Sequence, residues 1–267
     1  MTDKHDHRAR KRFGQNFLHD HNVIQRIVHQ IQPREGQHLV EIGPGKGALT
    51  QEVLTYIKHM DVVELDRDLI PILQAELGSQ LTIHNLDAMK FDFCSLVEGE
   101  TKLRVIGNLP YNISTPLIFH LLSLRHCIED MHFMLQKEVV ERMQAGPGSK
   151  TFGRLSIMVQ YFCRVEKLFI VPPGAFTPAP KVDSAIVRLV PHEQPPYEVD
   201  SVETLSKLVA QAFSQRRKTL RNSLKGWLDE AAMIAVGVDP KLRPEQLSLQ
   251  DFVALCNQYC RLPAENS

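Results

Sequence analysis

The sequence predicts a doubly wound α/β domain, a parallel sheet with helices on both faces, followed by a small all-helical C-terminal domain. Three observations carry this. Short apolar strand-like segments alternate with helix-like ones over the first two-thirds of the 267 residues. A glycine-rich turn directly follows the first of those strands and opens a helix. Beyond the proline-rich stretch from Pro191 to Pro196, only helical periodicity remains.

In chain order, 38–42 reads as a buried strand, with a helix from about Ala48; 61–65 is a second strand, with a helix around 69–77. Segments 81–84 and 103–106 are the third and fourth strands. Thr115 is expected to cap the next helix, with Pro116 in the first turn, where a missing N–H costs nothing. A fifth strand covers 131–135. The prolines of 171–180 lie between strand-like 168–171 and 185–190 and suggest a fixed loop at the sheet edge. The Pro191–Pro196 stretch reads as a linker, which places domains at 1–192 and 193–267. In the second, Asp200 with Glu203 forms a capping-box pattern, and Leu205, Leu208, Val209, Ala212 and Phe213 follow a helical stripe. Gly237 closes another helix, and Ser248 with Asp251 opens the last.

Hydrophobic residues make up 43% and charged residues 23%, ordinary values for a globular protein with a real core. No apolar run approaches the ~20 residues of a membrane span, and the basic N-terminus lacks the apolar stretch of a secretory signal. The five cysteines form no C-x-x-C pair, so reduced thiols in a cytoplasm are expected, without a disulfide framework or metal site. His5, His7, His19 and His21 read as surface histidines rather than ligands. Net charge is zero, yet Lys4–Arg12 and 204–228 are strongly basic.

Glu41-Ile-Gly-Pro-Gly-Lys-Gly-Ala48 is the first chemical signal. Glycines allow a tight turn and close approach of a ligand, and the G-x-G-x-x-G/A pattern alone also fits a dinucleotide site. It is not a Walker loop, because Gly47 follows Lys46. The acid before Gly43 and the third glycine lean towards S-adenosylmethionine, whose ammonium Glu41 can help hold. Glu64 ends the second strand, about 20 residues past Gly43, where an acid can accept ribose hydroxyls. Asp87 follows the third strand and can accept from an adenine amino group. Each acid alone reads as surface charge or a helix cap; both at consecutive strand ends favour a ligand.

Asn108-Leu109-Pro110-Tyr111 follows the fourth strand and points to the reaction. An exocyclic adenine nitrogen is a poor nucleophile because its lone pair is delocalised into the ring. Acceptors from the Asn108 side chain and the Leu109 carbonyl would stabilise the positive charge that grows on it. Pro110 stiffens the turn, and Tyr111 offers a face for a flipped base. A bare proline turn would explain Pro110 and leave its neighbours without a reason.

Arg12-Phe-Gly-Gln-Asn-Phe-Leu18, Glu41-Ile-Gly-Pro-Gly, Glu64-Leu-Asp, Asp87-Ala, Asn108-Leu-Pro-Tyr-Asn-Ile-Ser114, Met134-Leu-Gln-Lys-Glu138, Phe176-Thr-Pro-Ala-Pro-Lys-Val182 and Gln215-Arg-Arg-Lys-Thr219 occur in that order. Together they resemble the bacterial small-subunit ribosomal RNA adenine dimethyltransferase family, from about Arg10 to the final helix. The resemblance implies a Rossmann-like seven-stranded methyltransferase sheet plus a small helical domain. It also implies a substrate of two adjacent adenosines near the 3′ end of small-subunit RNA, each methylated twice. By the same resemblance, cofactor contacts fall on Asn16, Leu18, Gly43, Glu64, Asp87 and Asn108, with Gly45 in the same turn. Phe176 would pack on the target base opposite Tyr111, and two aromatic faces could stabilise a cation by ~0.5–2 kcal/mol. Lys46 is a small departure within the glycine turn.

Arg217, Arg221 and Lys225 would share one face of a helix over 215–225, beside Leu220, Leu224 and Leu228. A basic helical face is as often plain solvated surface. Next to the methyltransferase motifs, phosphate contact by Arg216, Arg217, Lys218, Arg221 and Lys225 becomes the better reading. The expected partner is ribosomal RNA within a pre-assembled small subunit, met by a cytoplasmic monomer with no metal and no membrane. Three rivals differ in class: a non-catalytic RNA-binding assembly or transcription factor on this scaffold, an adenine methyltransferase of large-subunit RNA or DNA, and an NAD-dependent oxidoreductase. The first would not need Asn108 and the acids; the last leaves Asn108–Tyr111 unexplained.

Overall fold

The computed structural model describes residues 15–215 and 217–262. Strands are β1 (Phe17–Leu18), β2 (His38–Ile42), β3 (Met60–Val63), β4 (Leu81–His84), β5 (Leu103–Asn108), β6 (Ile128–Gln136), β7 (Cys163–Val171), β8 (Phe176–Thr177) and β9 (Ser184–Pro191). Helices are α1 (His21–Ile31), α2 (Ala48–Val53), α3 (Ile70–Leu77), α4 (Ser114–Ser123), α5 (Lys137–Gln144), α6 (Arg154–Phe162), α7 (Val202–Ala212), α8 (Leu220–Ser223), α9 (Glu230–Ala235) and α10 (Leu249–Arg261). Seven strands form one sheet in the order β4-β3-β2-β5-β6-β9-β7, and β1 pairs antiparallel with β8 in a separate ribbon. The pairings from β4 to β6 are parallel, while β9 runs antiparallel to β6. The chain moves outward from β2 through β3 to β4, then returns to β5 on the other side of β2. That reversal makes the switch point at which such sheets bind ligands.

The chain divides into two compact units, one of residues 1–140 with 165–191, the other of 141–164 with 192–267. The single boundary drawn after 192 does not separate out 141–164. That segment carries α6, which packs against α7 and α10 of the helical unit.

In the sheet unit, α1 shows why a polar surface sequence becomes helix. Ile24, Ile27, Val28 and Ile31 lie on one buried face. Asp20 caps its start by accepting from the Val23 amide at 3.1 Å. Its last carbonyls are met by Arg104 of β5, which donates to Ile31 at 2.7 Å and Gln32 at 3.4 Å. Arg104 also reaches Gln37 at 2.9 Å and grips Asp130 of β6 through two bonds of 2.8 and 3.0 Å. Burial alone would raise the Asp130 pKa, but the Arg104 hydrogen bonds together with the nearby His132, Arg104 and Arg188 charges outweigh it and hold the carboxyl below the usual range. Asp61 of β3 is treated alike: hydrogen bonds to His38 and His84, at 2.7 and 2.6 Å, outweigh its burial.

Several expectations are corrected. Ile113, not Thr115, is the N-cap of α4, and Ser201, not Asp200, caps α7, its hydroxyl accepting from the Thr204 amide. Among the described residues of 215–225, only Leu220–Ser223 is α-helical. The Leu220 and Arg221 amides donate to the Leu242 and Pro240 carbonyls at 2.7 and 3.1 Å, so the chain breaks before the four-residue α8. Arg217, Lys218, Arg221 and Lys225 are all exposed but share no helical stripe, and Arg221 pairs with Glu230 at 3.2 Å. Arg216 lies outside the described residues. Leu220, Leu224 and Leu228 are buried. Cys94 and Cys127 form a disulfide, contrary to the expectation of free thiols throughout. Their separation of 33 residues offers no local spacing that reveals the pair.

Removing one partner of a buried ion pair leaves the other charge desolvated. Asp130→Ala is therefore expected to lower unfolding free energy by about 3–5 kcal/mol, read as a reduced midpoint in denaturant titration. A loss below about 1 kcal/mol would show that Arg104 is satisfied by its carbonyl partners alone.

Candidate active site

The C-terminal ends of β2 to β5 surround a cavity of about 330 Å³, within the range of small-molecule sites. Glu41, Gly43 and Gly45 from the end of β2 and its turn line it, as do Glu64 after β3 and Asp87 after β4. Asn108, Leu109, Pro110 and Tyr111 line it from the end of β5, and Asn16 and Leu18 from the N-terminal segment. Two glycines set its shape. A Cβ on Gly107 would stand 2.5 Å from the Ile42 carbonyl oxygen, so any side chain there would force β2 and β5 apart. Gly45 has φ +61°, and a Cβ on it would meet the Phe17 ring at 3.0 Å.

Three carboxylates share this cavity. Glu41 is buried, and its Oε2 accepts from the Thr50 hydroxyl at 2.6 Å. Burial pushes its pKa up to about 7, against the opposing effect of Thr50. Glu64 accepts from the Asp66 amide at 2.8 Å and the Gly45 amide at 3.3 Å. Burial raises its pKa as well, with those bonds working the other way. Asp87 uses Oδ1 for the Met89 amide at 2.9 Å, which leaves Oδ2 as an acceptor. Such a set suits a ligand carrying a positive charge, hydroxyls and an amino group.

The Asn108–Tyr111 turn is held from several sides. The Leu109 amide donates to the Met134 carbonyl of β6 at 3.2 Å, and the Ile113 amide to the Pro110 carbonyl at 3.2 Å. Asn108 Nδ2 donates to the Asn16 carbonyl at 2.9 Å. A carbonyl can only accept, so the amino side of that amide faces Asn16 and Oδ1 faces away as an acceptor. The Tyr111 hydroxyl lies 2.6 Å from Ser184 Oγ at the start of β9, and burial raises the Tyr111 pKa.

Phe176 is the exception among the expected site residues. It is 3% exposed, pairs with Leu18 across the β1–β8 ribbon and belongs to the hydrophobic core of the sheet unit. It does not line the cavity with Tyr111. Sequence reasoning also passed over Leu65 and Leu86, which line the cavity yet are 48% and 54% exposed. Each directly follows or precedes a site acid, and an apolar residue left open beside a strand-end carboxylate is the signal that could have found them. Ser184, fully buried, gave no such signal.

The model of the family described as ribosomal RNA adenine dimethylase matches residues 6–260. The chain belongs to this family. Among similar curated proteins is a ribosomal RNA small subunit methyltransferase A of Marinomonas sp. (strain MWYL1), 61% identical, with 96% of this chain and 97% of the relative covered. The protein of that name from Pseudomonas aeruginosa is 62% identical, with 98% and 99% covered. A crystal structure of a dimethyladenosine transferase from Plasmodium falciparum matches with a TM-score of 0.76 at 28% identity, covering 90% of this chain and 95% of that one. The 23S rRNA methyltransferase ErmE matches with a TM-score of 0.70 at 25% identity, covering 92% and 100%. This ribosomal RNA adenine dimethylase family member is thus a methyltransferase with a Rossmann-like sheet. Among the described residues, no helix is long and apolar enough to cross a membrane.

The Tyr111–Ser184 bond yields an asymmetric expectation. Tyr111→Phe strands a fully buried hydroxyl and should cost about 1–3 kcal/mol, whereas Ser184→Ala leaves a partly exposed phenol that water can reach and should cost less. Denaturant titration of both variants checks the order, and the reverse order would contradict it.

Proposed function

We propose that this protein transfers methyl groups from S-adenosylmethionine to the N6 amino groups of two adjacent adenosines near the 3′ end of small-subunit ribosomal RNA, giving N6,N6-dimethyladenosine at each. The observation that carries this is Asn108, whose amide is turned by the Asn16 carbonyl so that Oδ1 is left to accept beside a cavity of three carboxylates. The small-subunit substrate rests on the names of relatives about 60% identical over nearly the whole chain. ErmE, named for 23S rRNA, is far more distant in sequence.

The donor chemistry of the cavity fits the cofactor. Glu41 would hold the ammonium, Glu64 the ribose hydroxyls and Asp87 the adenine amino group, with Leu65 and Leu86 supplying apolar contact. When bound, S-adenosylmethionine supplies an electrophilic methyl group. The chain's own part is positioning and electrostatics. Asn108 Oδ1 and the Leu109 carbonyl accept the target amino N–H bonds and stabilise charge growing on nitrogen. Tyr111, anchored by Ser184, presents a ring to the base. No base in this turn titrates near neutrality; the proton becomes acidic only once the methyl has transferred and can leave to water. Arg217, Lys218, Arg221 and Lys225, with Arg216, would contact RNA phosphates in a pre-assembled small subunit, as part of its maturation. The protein would act as a cytoplasmic monomer. Incubation with labelled S-adenosylmethionine and unmethylated small subunits, followed by mapping, tests this. Label confined to large-subunit RNA, or none, would overturn it.

With cofactor saturating, Asn108→Ala should slow single-turnover methyl transfer by roughly 10²–10³, the usual cost of one preorganised hydrogen-bonding partner. A rate within threefold of wild type would remove Asn108 from the chemistry.

Glu41 gives cofactor binding a pH dependence. Its carboxyl, with a pKa near 7 in the free protein, must be ionised to pair with an ammonium. Affinity should therefore fall as pH drops below about 7, approaching tenfold per unit, and Glu41→Gln should flatten that limb. Calorimetry across pH 5.5–7.5 reads both; an unchanged limb in the variant would assign it to another group.

A further inference from the structure

Far from the cavity, Cys94 and Cys127 meet at the opposite end of the sheet. Cys94 lies in the 3-10 turn Phe93–Leu96 that precedes β5, and Cys127 ends the turn Arg125–Cys127 that leads into β6. The Asp92 side chain fixes the first turn by accepting from the Cys94 amide at 3.0 Å, and the Leu124 carbonyl fixes the second by accepting from the Cys127 amide at 3.2 Å. His126 completes the group, its Nε2 3.4 Å from Cys94 Sγ. The three ligand atoms all lie within 4.8 Å of one another, and no other group of three such atoms is so close among the described residues. The cavity reaches β6 at His132, Phe133 and Met134. At ~3.3 Å per residue, the first of these is about 13 Å from the strand's first residue, Ile128.

We propose that Cys94, Cys127 and His126 form a binding site for a thiophilic metal ion of the zinc class, open when the pair is reduced and closed when it is a disulfide. Two sulfurs and an imidazole make a soft to borderline donor set, unsuited to calcium or magnesium. Zinc–sulfur and zinc–nitrogen bonds of about 2.3 and 2.0 Å imply a sulfur-to-nitrogen edge of about 3.5 Å in a tetrahedron; the His126–Cys94 edge is 3.4 Å. The Cα–Cα separation of 5.5 Å accommodates a bonded pair as well as two sulfurs sharing one ion. Cys127 is buried while His126 is exposed, so three protein ligands face a fourth position that solvent can fill. The change of state balances: two equivalents of a monothiol reduce the disulfide, giving two thiols and the oxidised disulfide of the reductant. Metal binding then releases the thiol protons to water. Neither step involves the methyl-transfer site.

The full chain, reduced, stripped of metal and kept under nitrogen, is titrated with Co²⁺ as the spectroscopic probe. A thiolate-to-cobalt charge-transfer band should saturate at one ion per chain and disappear when Zn²⁺ is added. Oxidised protein should give none. The Cys94→Ser/Cys127→Ser double variant should lose the band. His126→Ala, which leaves both sulfurs in place, should weaken binding by about tenfold or more. Methyl transfer should be unchanged in all of them. Absence of the band in reduced wild type overturns the site. So does a band that survives in the double variant, since it would belong to Cys163, Cys256 or Cys260. Unaltered affinity in a folded His126→Ala protein would likewise overturn it.

Discussion

Arg104 is a charge with almost no water to solvate it, and five acceptors take the place of that water: both oxygens of Asp130, the Gln37 side chain, and the carbonyls of Ile31 and Gln32. Because two of these close the C-terminus of α1, the guanidinium fixes that helix against β5 and β6. The other end of α1 begins at Asp20, next to His19, whose amide donates to the Ala175 carbonyl. From there the β1–β8 ribbon leads back to Asn16, and Asn16 orients Asn108. A contact between neighbouring strands β5 and β6 thus reaches the cavity rim through consecutive covalent and hydrogen-bonded links. An ion pair so placed contributes little as an isolated pair; its use is to admit one docking of α1 and no other.

The cavity concentrates negative charge where burial disfavours it. Glu41 and Glu64 both have raised pKa values, chiefly from burial; the nearby Glu64 carboxylate adds to the effect on Glu41, and Asp66 adds to that on Glu64. A site with this character holds free energy in reserve for a ligand that brings the missing positive charge and donors. His132 lines the same cavity, but burial depresses its pKa to about 4, so it is neutral near pH 7 and does not supply that charge.

Legibility of the sequence followed the range of the interaction. The strand ending at Ile42, the turn with Gly43 and Gly45, and the acids Glu64 and Asp87 are local patterns, and all were placed from residue order alone. So was the final helix, where Ser248 and Asp251 cap each other reciprocally. Phe176, which the family resemblance set against the target base opposite Tyr111, is paired with Leu18 and buried in the core of the sheet unit, outside the cavity lining. The break before α8 comes from carbonyls twenty residues downstream, which no helical periodicity can show. Ser184 and the Cys94–Cys127 pair are likewise partners made by the sheet, not by spacing. Segment 141–164 falls with the helical unit because of what α6 packs against, and its composition gave no sign of that.

The antiparallel direction of β9 has a consequence for how such a protein can diverge. Its first residue, Ser184, pairs with Gln136 at the end of β6, so the late part of the chain delivers its opening residues to the rim reached by the ends of the parallel strands. The residues on the floor of the cavity hang from β2, β3 and β4, while the ring of Tyr111 is braced by a strand encoded more than seventy residues later. Two stretches of gene, mutating independently, therefore control separate halves of one pocket. Selection can reshape the half that carries Tyr111 by altering the segment before β9, with the other half left untouched, as a lathe keeps its chuck while the tool is changed.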